Sequence, residues 1–160
     1  MEKLTKIILN ATYKDKYDRL QILEKDREFC GHTMEHFIDV ARIAYILNLE
    51  GNLGIKKEII YAAALLHDIG RADEYDLGIP HHKAGAKIAE EILNELNIFD
   101  ENEVKDILEA IKEHRSCSGK RCVIGELLFK SDKLSRNCFS CGVCGKCNWS
   151  EDKKNNYLKV

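Results

Sequence analysis

The apolar run Ile59–Leu66, rich in alanine, ends directly in His67 and Asp68. A helix that is apolar on nearly every side is normally buried among other elements. We therefore expect a central helix over 56–68, ended by Gly70, inside a bundle of other helices. Burying a bare carboxylate costs several kcal/mol, so the two polar side chains at its end must be paired, metal-bound or exposed in a cleft.

Further imidazoles and one more carboxylate occur on other predicted helices. The set consists of His36 before the pair and of His81, His82, His114 and Asp132 after it. A bundle can bring such side chains from separate helices to one interior point. Imidazole nitrogens and carboxylate oxygens suit manganese, iron, cobalt, nickel or zinc, and less often magnesium. The pattern predicts a divalent metal site without choosing the ion.

The fold class predicted from periodicity is all-α. Proline occurs once, and apolar residues recur at three- and four-residue spacing without strand signals. We predict a helical bundle domain over 1–137 and a cysteine-rich C-terminal segment over 138–160, packed on the same domain or partly disordered. Loops are expected at 71–80 and 115–121, with Asp100 as a helix N-cap. The predicted helices are 2–11, 13–28, 33–49, 56–68, 81–96, 101–114 and 122–136.

Composition argues against several classes of partner. The formal net charge is −2 over 160 residues, and basic residues are interspersed with acidic ones. A nucleic-acid or membrane-surface role would need a basic footprint. No apolar stretch approaches a membrane span, and the N-terminus lacks the core of a secretory signal. We expect a cytoplasmic protein, monomeric or homodimeric, without nucleic-acid or membrane partners.

Four cysteines at successive two-residue gaps form a second signal. Cys138, Cys141, Cys144 and Cys147 lie within ten residues. Thiolates are soft ligands for zinc or an iron–sulfur cluster, and Cys117 and Cys122 are candidates to complete such a site. A single zinc held by these four alone would be cramped. The alternative is that the thiols are simply reduced or form a structural knot.

The order of the site residues resembles that of the HD-domain phosphohydrolase superfamily, which runs His, His-Asp, two further His and Asp. The resemblance implies a first metal held by His36, His67, Asp68 and Asp132. It implies a second metal held by His81 and His114, with Asp68 bridging both. The spacing from His81 to Gly85 resembles the His-x-x-x-Gly segment of the binuclear members and favours His81 over His82. The chain is also similar to bacterial HD-type hydrolases of dinucleoside polyphosphates.

The resemblance implies hydrolysis of a phosphoester or phosphoanhydride, by metal-activated water, in a nucleotide or other small phosphorylated metabolite. Asp68, Arg71 and Lys133 are the expected catalytic residues. Cations should flank the metals and bind the phosphate, which makes Arg71, Lys133 and Arg136 candidates. His32, one helical turn before His36, is expected to line the pocket and contact substrate.

Two other functions fit the same residues. One is a di-iron oxygenase, because some proteins with the HD arrangement bind two irons and activate oxygen. The other is a non-catalytic metal or redox sensor that works through the cysteine cluster. No Walker or GxGxxG glycine loop is present, and the GYP signature of cyclic di-GMP phosphodiesterases is missing.

Overall fold

The computed structural model describes residues 1–115 and 121–160, and within these ranges it has eight α-helices and no strand. The prediction of an all-α fold is confirmed. Residues 116–120, which include Cys117 and most of the loop predicted at 115–121, lie outside the described residues. The helices are α1 (Glu2–Leu9), α2 (Ala11–Leu23), α3 (Met34–Glu50), α4 (Lys57–Leu66), α5 (Arg71–Leu77), α6 (His81–Leu96), α7 (Glu101–Glu113) and α8 (Val123–Leu134).

Helix α4 is the central helix of the bundle, as its composition predicts. It packs against α1, α3, α6, α7 and α8. All of its residues from Ile59 to Leu66 except Tyr61 are buried, and alanine at 62–64 lets the neighbouring helices approach closely. The neighbouring helices converge on the C-terminal end of α4, which delivers His67 and Asp68 to the interior.

Side-chain caps fix the N-termini of four helices, α2, α3, α7 and α8. Asp100 accepts hydrogen bonds from the backbone N–H groups of Asn102 and Glu103, and Glu103 in turn accepts from the Asp100 backbone N–H. This capping box satisfies N–H groups that have no partner inside the helix. The prediction of Asp100 as N-cap is therefore confirmed. Thr33 caps α3 by a single hydrogen bond, which its hydroxyl accepts from the backbone N–H of His36.

Residues 71–77 form helix α5, so the prediction of a loop over 71–80 is wrong for this part. The helix is short, and Ala72 is its one buried residue, so the sequence shows no apolar stripe there. Ion pairs to α2 hold it instead, from Lys16 to Asp73 (2.7 Å) and from Arg19 to Asp76 (2.8 Å). Such long-range pairs leave no periodic signal in the sequence.

The second helix is shorter than predicted. It ends at Leu23 rather than continuing to residue 28. Glu24 follows as its C-cap and lies outside the regular helix. Its side chain turns inward and is 6% exposed, because it accepts hydrogen bonds from His32.

The turn after α4 lies directly against α6. A Cβ atom on Gly70 would lie 2.3 Å from the backbone oxygen of His81 and 2.3 Å from the backbone nitrogen of Gly85. Real Cβ atoms do not approach backbone that closely, so glycine at 70 permits this contact. The contact brings the first turn of α6 next to Asp68.

The C-terminal segment folds back onto the end of α8 in three short 3₁₀ turns. Asn155 is buried, and its side-chain amide donates to the backbone oxygens of Lys133, Leu134 and Arg136. These carbonyls belong to the end of the helix, where backbone acceptors lack helical partners. The segment is therefore packed on the helical domain at least as far as Asn155. In the described part of the chain, no helix combines the length and apolar character needed to cross a membrane.

Candidate metal centre

Five helices deliver six polar side chains to one interior region. His67 and Asp68 follow α4, and His36 stands in the first turn of α3. His81 is the first residue of α6, His114 comes directly after α7, and Asp132 lies in the last turn of α8. All six side chains are buried except that of His36, which is 16% exposed.

The side chains fall into two sets that share one carboxylate. In each set, one potential ligand atom per residue lies within 4.8 Å of all the others. Asp68 belongs to both sets, which have the composition that the HD resemblance implies. The first set is His36, His67, Asp68 and Asp132, and the second is Asp68, His81 and His114.

His67 and His114 are oriented by the ends of their own helices. Nδ1 of His67 lies 2.7 Å from the backbone oxygen of Ala64, and Nδ1 of His114 lies 2.6 Å from that of Ile111. A carbonyl can only accept a hydrogen bond, so Nδ1 carries the proton in each ring. The last carbonyls of a helix need partners, and these rings supply them. Nε2 is left as a lone pair directed at the centre.

His36 and His81 are held by side chains. Nδ1 of His36 lies 3.2 Å from the Ser135 hydroxyl, whose own proton goes to the backbone oxygen of Asp132. Nδ1 of His81 lies 2.7 Å from the Glu74 carboxylate. Metal-binding histidines commonly donate their second N–H to such acceptors, which fixes the ring and its tautomer.

The resulting lone pairs need a positive partner. Nε2 of His81 and Nε2 of His114 lie 3.1 Å apart, although neither carries the proton when Nδ1 donates to its acceptor. Nε2 of His36 and Nε2 of His67 are buried without a hydrogen-bond partner. Buried nitrogen lone pairs that face one another and two carboxylates fit a divalent cation and its preference for imidazole and carboxylate donors.

Asp68 stands between the two sets. Its Oδ2 lies 3.2 Å from Nε2 of His67, and its Oδ1 lies 3.3 Å from Nε2 of His81 and 3.6 Å from Nε2 of His114. Burial alone would raise the pKa of this carboxyl, but electrostatic attraction to neighbouring groups, chiefly His67, holds the pKa well below its usual value. Asp68 is therefore ionised and presents one oxygen to each set.

Burial and neighbouring charges shift the pKa values of the remaining ligand candidates in different directions. Burial lowers the pKa of His36 and that of His81 to about 4, which keeps both rings neutral at neutral pH. Burial also opposes charge on His67, but attraction to Asp68 outweighs it and raises the pKa of His67. Burial would raise the pKa of Asp132, yet the neighbouring Lys133 lowers it to about 2.

Two of the predicted cations flank the centre. Nε of Arg71 donates to Oδ1 of Asp68 (3.0 Å), and the Lys133 ammonium group contacts the Asp132 carboxylate. Their side chains are 24% and 35% exposed, so both border solvent while touching buried carboxylates. Arg136 lies elsewhere, with its guanidinium 4.1 Å from the ring centre of Trp149 in the C-terminal segment.

Sequence reasoning missed two acidic residues that hold histidines. Glu74 holds His81, and Glu24 accepts hydrogen bonds from both the ring and the backbone of His32. Nε2 of His32 lies 3.4 Å from Oδ2 of Asp68, although His32 belongs to neither metal set. His82 is half-buried beside His81 and also belongs to neither set. No sequence signal marks the two glutamates, because their contacts depend on where α2 ends and on the presence of α5.

The cysteine run is not gathered into a metal set. All four thiols are free and half-buried, and successive backbone hydrogen bonds link Cys141, Cys144 and Cys147 to the cysteine three residues before. Within residues 1–115 and 121–160, no three thiols have sulfur atoms mutually within 4.8 Å. Cys30 lies beside the run, where burial, with Cys138 and Cys141 nearby, raises its pKa. A metal or cluster at the run stays a prediction.

Comparison with known proteins finds a matching family model and several related sequences. The HD domain family matches residues 33–137. An uncharacterized protein of Clostridium beijerinckii is 41% identical over 155 residues, which cover 97% of each chain. Ribonuclease Y of Oleidesulfovibrio alaskensis is 31% identical over 107 residues, and that of Enterococcus faecalis is 32% identical over 121 residues. These alignments cover 67% and 74% of the present chain but only 18% and 21% of the two ribonucleases. No solved structure matches.

Proposed function

Since the chain belongs to the HD-domain family, whose members are generally metal-dependent hydrolases, we propose that it hydrolyses a phosphoester or phosphoanhydride of a nucleotide or another small phosphorylated metabolite. The observation that carries the proposal is the pair of metal sets that share Asp68. Two cations held by one carboxylate can act together on a single phosphoryl group. The partly exposed Arg71 and Lys133 beside them are placed to meet its oxygens.

In this proposal each set binds one metal ion. His36, His67 and Asp132 would hold one divalent ion, His81 and His114 would hold the other, and Asp68 would contribute to both. When bound, such ions supply a water activated for attack at neutral pH and neutralise charge on the phosphoryl oxygens. We leave the metal open among manganese, iron, cobalt, nickel, zinc and magnesium, because the donor types suit all of them to some degree.

The protein itself contributes orientation and charge. Arg71 is fixed by Asp68 and by Glu74, so its guanidinium needs little further ordering to bind a phosphoryl oxygen. Lys133, which contacts the Asp132 carboxylate and borders solvent, is a second cation available to bind a phosphoryl oxygen. Phosphoryl transfer depends mainly on such positioning and electrostatic stabilisation. Arg136, which stacks on Trp149, remains a more distant candidate for phosphate binding.

The choice of a small substrate is supported by the charge of the chain. A net charge of −2 with interspersed basic residues offers no extended surface for a long polyanion. The name of ribonuclease Y nevertheless indicates that those relatives act on RNA. Short RNA therefore belongs among the compounds tested, beside mononucleotides and dinucleoside polyphosphates.

The test combines elemental analysis of anaerobically purified protein with a hydrolysis screen over nucleotides, dinucleoside polyphosphates and short RNA. Wild type is compared with Asp68→Ala and with Asp106→Ala, which removes an exposed carboxylate on α7. We expect bound divalent metal and hydrolysis in the wild type and in Asp106→Ala. Removal of the shared carboxylate should weaken metal binding by about 100-fold or more and abolish turnover, a larger loss than the 10- to 100-fold typical of groups outside the ligand shell.

Two results would contradict the proposal. Hydrolysis that persists in Asp68→Ala would place the activity outside this centre or in a contaminant. A wild-type protein that binds metal but hydrolyses nothing would favour the other two functions. Iron with visible absorption and oxygen consumption would then indicate the di-iron oxygenase, and metal binding without any turnover would indicate a sensor.

A further inference from the structure

His32 and Glu24 form a pair that neither metal set includes. Oε1 of Glu24 lies 2.6 Å from Nδ1 of His32, and Oε2 accepts the backbone N–H of the same histidine at 2.8 Å. The Tyr75 hydroxyl also donates to Oε1 (2.8 Å). The side chains of Glu24 and His32 are 6% and 10% exposed. His32 is therefore held at two points, its ring and its backbone N–H, by one buried carboxylate.

This arrangement determines which ring nitrogen faces the centre. Because a carboxylate accepts hydrogen bonds, the proton of a neutral His32 ring lies on Nδ1 and Nε2 is a lone pair. Nε2 lies 3.4 Å from Oδ2 of Asp68, the oxygen that also faces His67. The Nε2 lone pair and the carboxylate oxygen are both hydrogen-bond acceptors, so together they attract a hydrogen-bond donor such as water.

The position of His32 differs from that of the ligand candidates. Its Nε2 is outside both sets whose ligand atoms lie mutually within 4.8 Å. It nevertheless approaches the shared carboxylate about as closely as His81 (3.3 Å) and more closely than His114 (3.6 Å). His32 thus stands at the edge of the centre, where it can contact a molecule bound there.

We propose that His32 is a further catalytic residue, whose Nε2 accepts a hydrogen bond from the water that attacks phosphorus, and that Glu24 is its positioning residue. The proposal rests on the hydrolase function proposed above. A nitrogen lone pair can accept a hydrogen bond from the O–H of water, but it repels a phosphoryl oxygen. Contact with the attacking water therefore replaces the substrate contact expected of His32 from the sequence. A positioned side chain that accepts a proton from a reacting group in the transition state typically contributes about 10²- to 10⁴-fold to the rate.

The variant Glu24→Gln tests the pair at constant side-chain volume. The amide oxygen can still accept from the His32 backbone, and the amide N–H₂ then faces Nδ1 as a donor. The ring proton would move to Nε2, which would turn from acceptor into donor. The variant His32→Gln removes the imidazole, and His82→Gln is the matched control because His82 lies outside both sets.

The probe is bis(4-nitrophenyl) phosphate with Mn²⁺, measured together with Mn²⁺ affinity for each variant. We expect kcat to fall about 100-fold or more in His32→Gln and in Glu24→Gln, with KM and Mn²⁺ affinity within about threefold of wild type. His82→Gln should match wild type. In the metal-free protein, imidazole ¹⁵N chemical shifts should place the His32 proton on Nδ1 in wild type and on Nε2 in Glu24→Gln.

Each contrary outcome has a distinct meaning. Unchanged kcat in His32→Gln would overturn the proposal, and a rise in KM alone would make His32 a substrate contact instead. Weaker Mn²⁺ binding in His32→Gln would make His32 a metal ligand and would equally overturn its catalytic role. If wild type binds Mn²⁺ but cleaves neither the probe nor any compound of the substrate panel, the hydrolase proposal fails and this inference fails with it.

Discussion

The His/Asp centre and the cysteine run differ in how their donors are brought together. Both consist of side chains of types that bind metals, and the sequence predicts a metal site at each. The donors of the centre come from five helices and meet within 4.8 Å in two sets. The four cysteines lie in ten consecutive residues, yet in the described ranges no three thiols meet at that distance. Proximity in sequence is therefore not what assembles a site in this fold.

The difference lies in what orients each donor. In the centre, each of the four ligand imidazoles has its Nδ1 next to a protein acceptor, so Nε2 faces inward before any ion binds. Such second partners orient metal ligands and tune their affinity. The half-buried thiols lie in or next to short 3₁₀ turns, where backbone hydrogen bonds order the chain without bringing three sulfur atoms of the described residues together. The comparison thus separates a preorganised centre from a run of adjacent donors.

The largest change in metal binding should come from Glu74→Gln, which weakens the acceptor that contacts Nδ1 of His81. We expect the second set to lose about 10- to 100-fold in affinity for Mn²⁺, as is typical when such partners are removed, while the first set keeps its affinity. Calorimetric titration with Mn²⁺ resolves the two sets, and Glu90→Gln on the exposed face of α6 is the control. Equal weakening of both sets, or of neither, would show that orientation of His81 by Glu74 does not govern the second set.

A smaller effect is expected from Asn155→Ala, which tests how the C-terminal segment is attached. The variant leaves the backbone oxygens of Lys133, Leu134 and Arg136 without this donor. Loss of hydrogen bonds to these half-buried carbonyls should lower the free energy of unfolding by about 0.5–1.5 kcal/mol. Urea denaturation measures the change.

The neighbouring Asn156→Ala is the control for that experiment. Asn156 is exposed and donates to the Glu151 side chain, so its loss should change stability by less than about 0.5 kcal/mol. If both variants unfold at the same urea concentration as wild type, the segment is attached by other contacts. The thiols of the run would then be the first alternative to examine.

The smallest effect should follow replacement of Cys138, Cys141, Cys144 and Cys147 by serine. Because none of these residues belongs to either metal set, Mn²⁺ stoichiometry and affinity at the His/Asp centre should stay within about threefold of wild type. Titration of both proteins with Mn²⁺ checks this. Loss of Mn²⁺ binding would show that the two regions depend on each other, and loss of zinc or of iron with sulfide would show that the run is a metal site of its own.

The sequence predicts the central helix and the order of the site residues, because both rest on local composition and on resemblance to a family. It does not predict Glu74 or Glu24 as partners of histidines. Glu74 requires helix α5, which is held by ion pairs from α2 rather than by an apolar stripe. Glu24 requires α2 to end at Leu23, although the charged pattern continues beyond that residue. Contacts between distant segments decide these features, and a single sequence does not show them.

The distribution of the donors over five helices links cation binding to the cooperativity of the whole domain. The donors span the chain from His36 to Asp132, so detachment of any one of these helices removes part of a set. An ion that binds only the folded chain shifts the folding equilibrium toward the native state, by about 2.7 kcal/mol when its free concentration is 100 times its Kd. An ion in the first set should therefore suppress local openings of α3 and α8, and an ion in the second set those of α6 and α7. In hydrogen exchange, one ion in the first set would slow the amides of α3 and α8, two helices that lie far apart in the sequence.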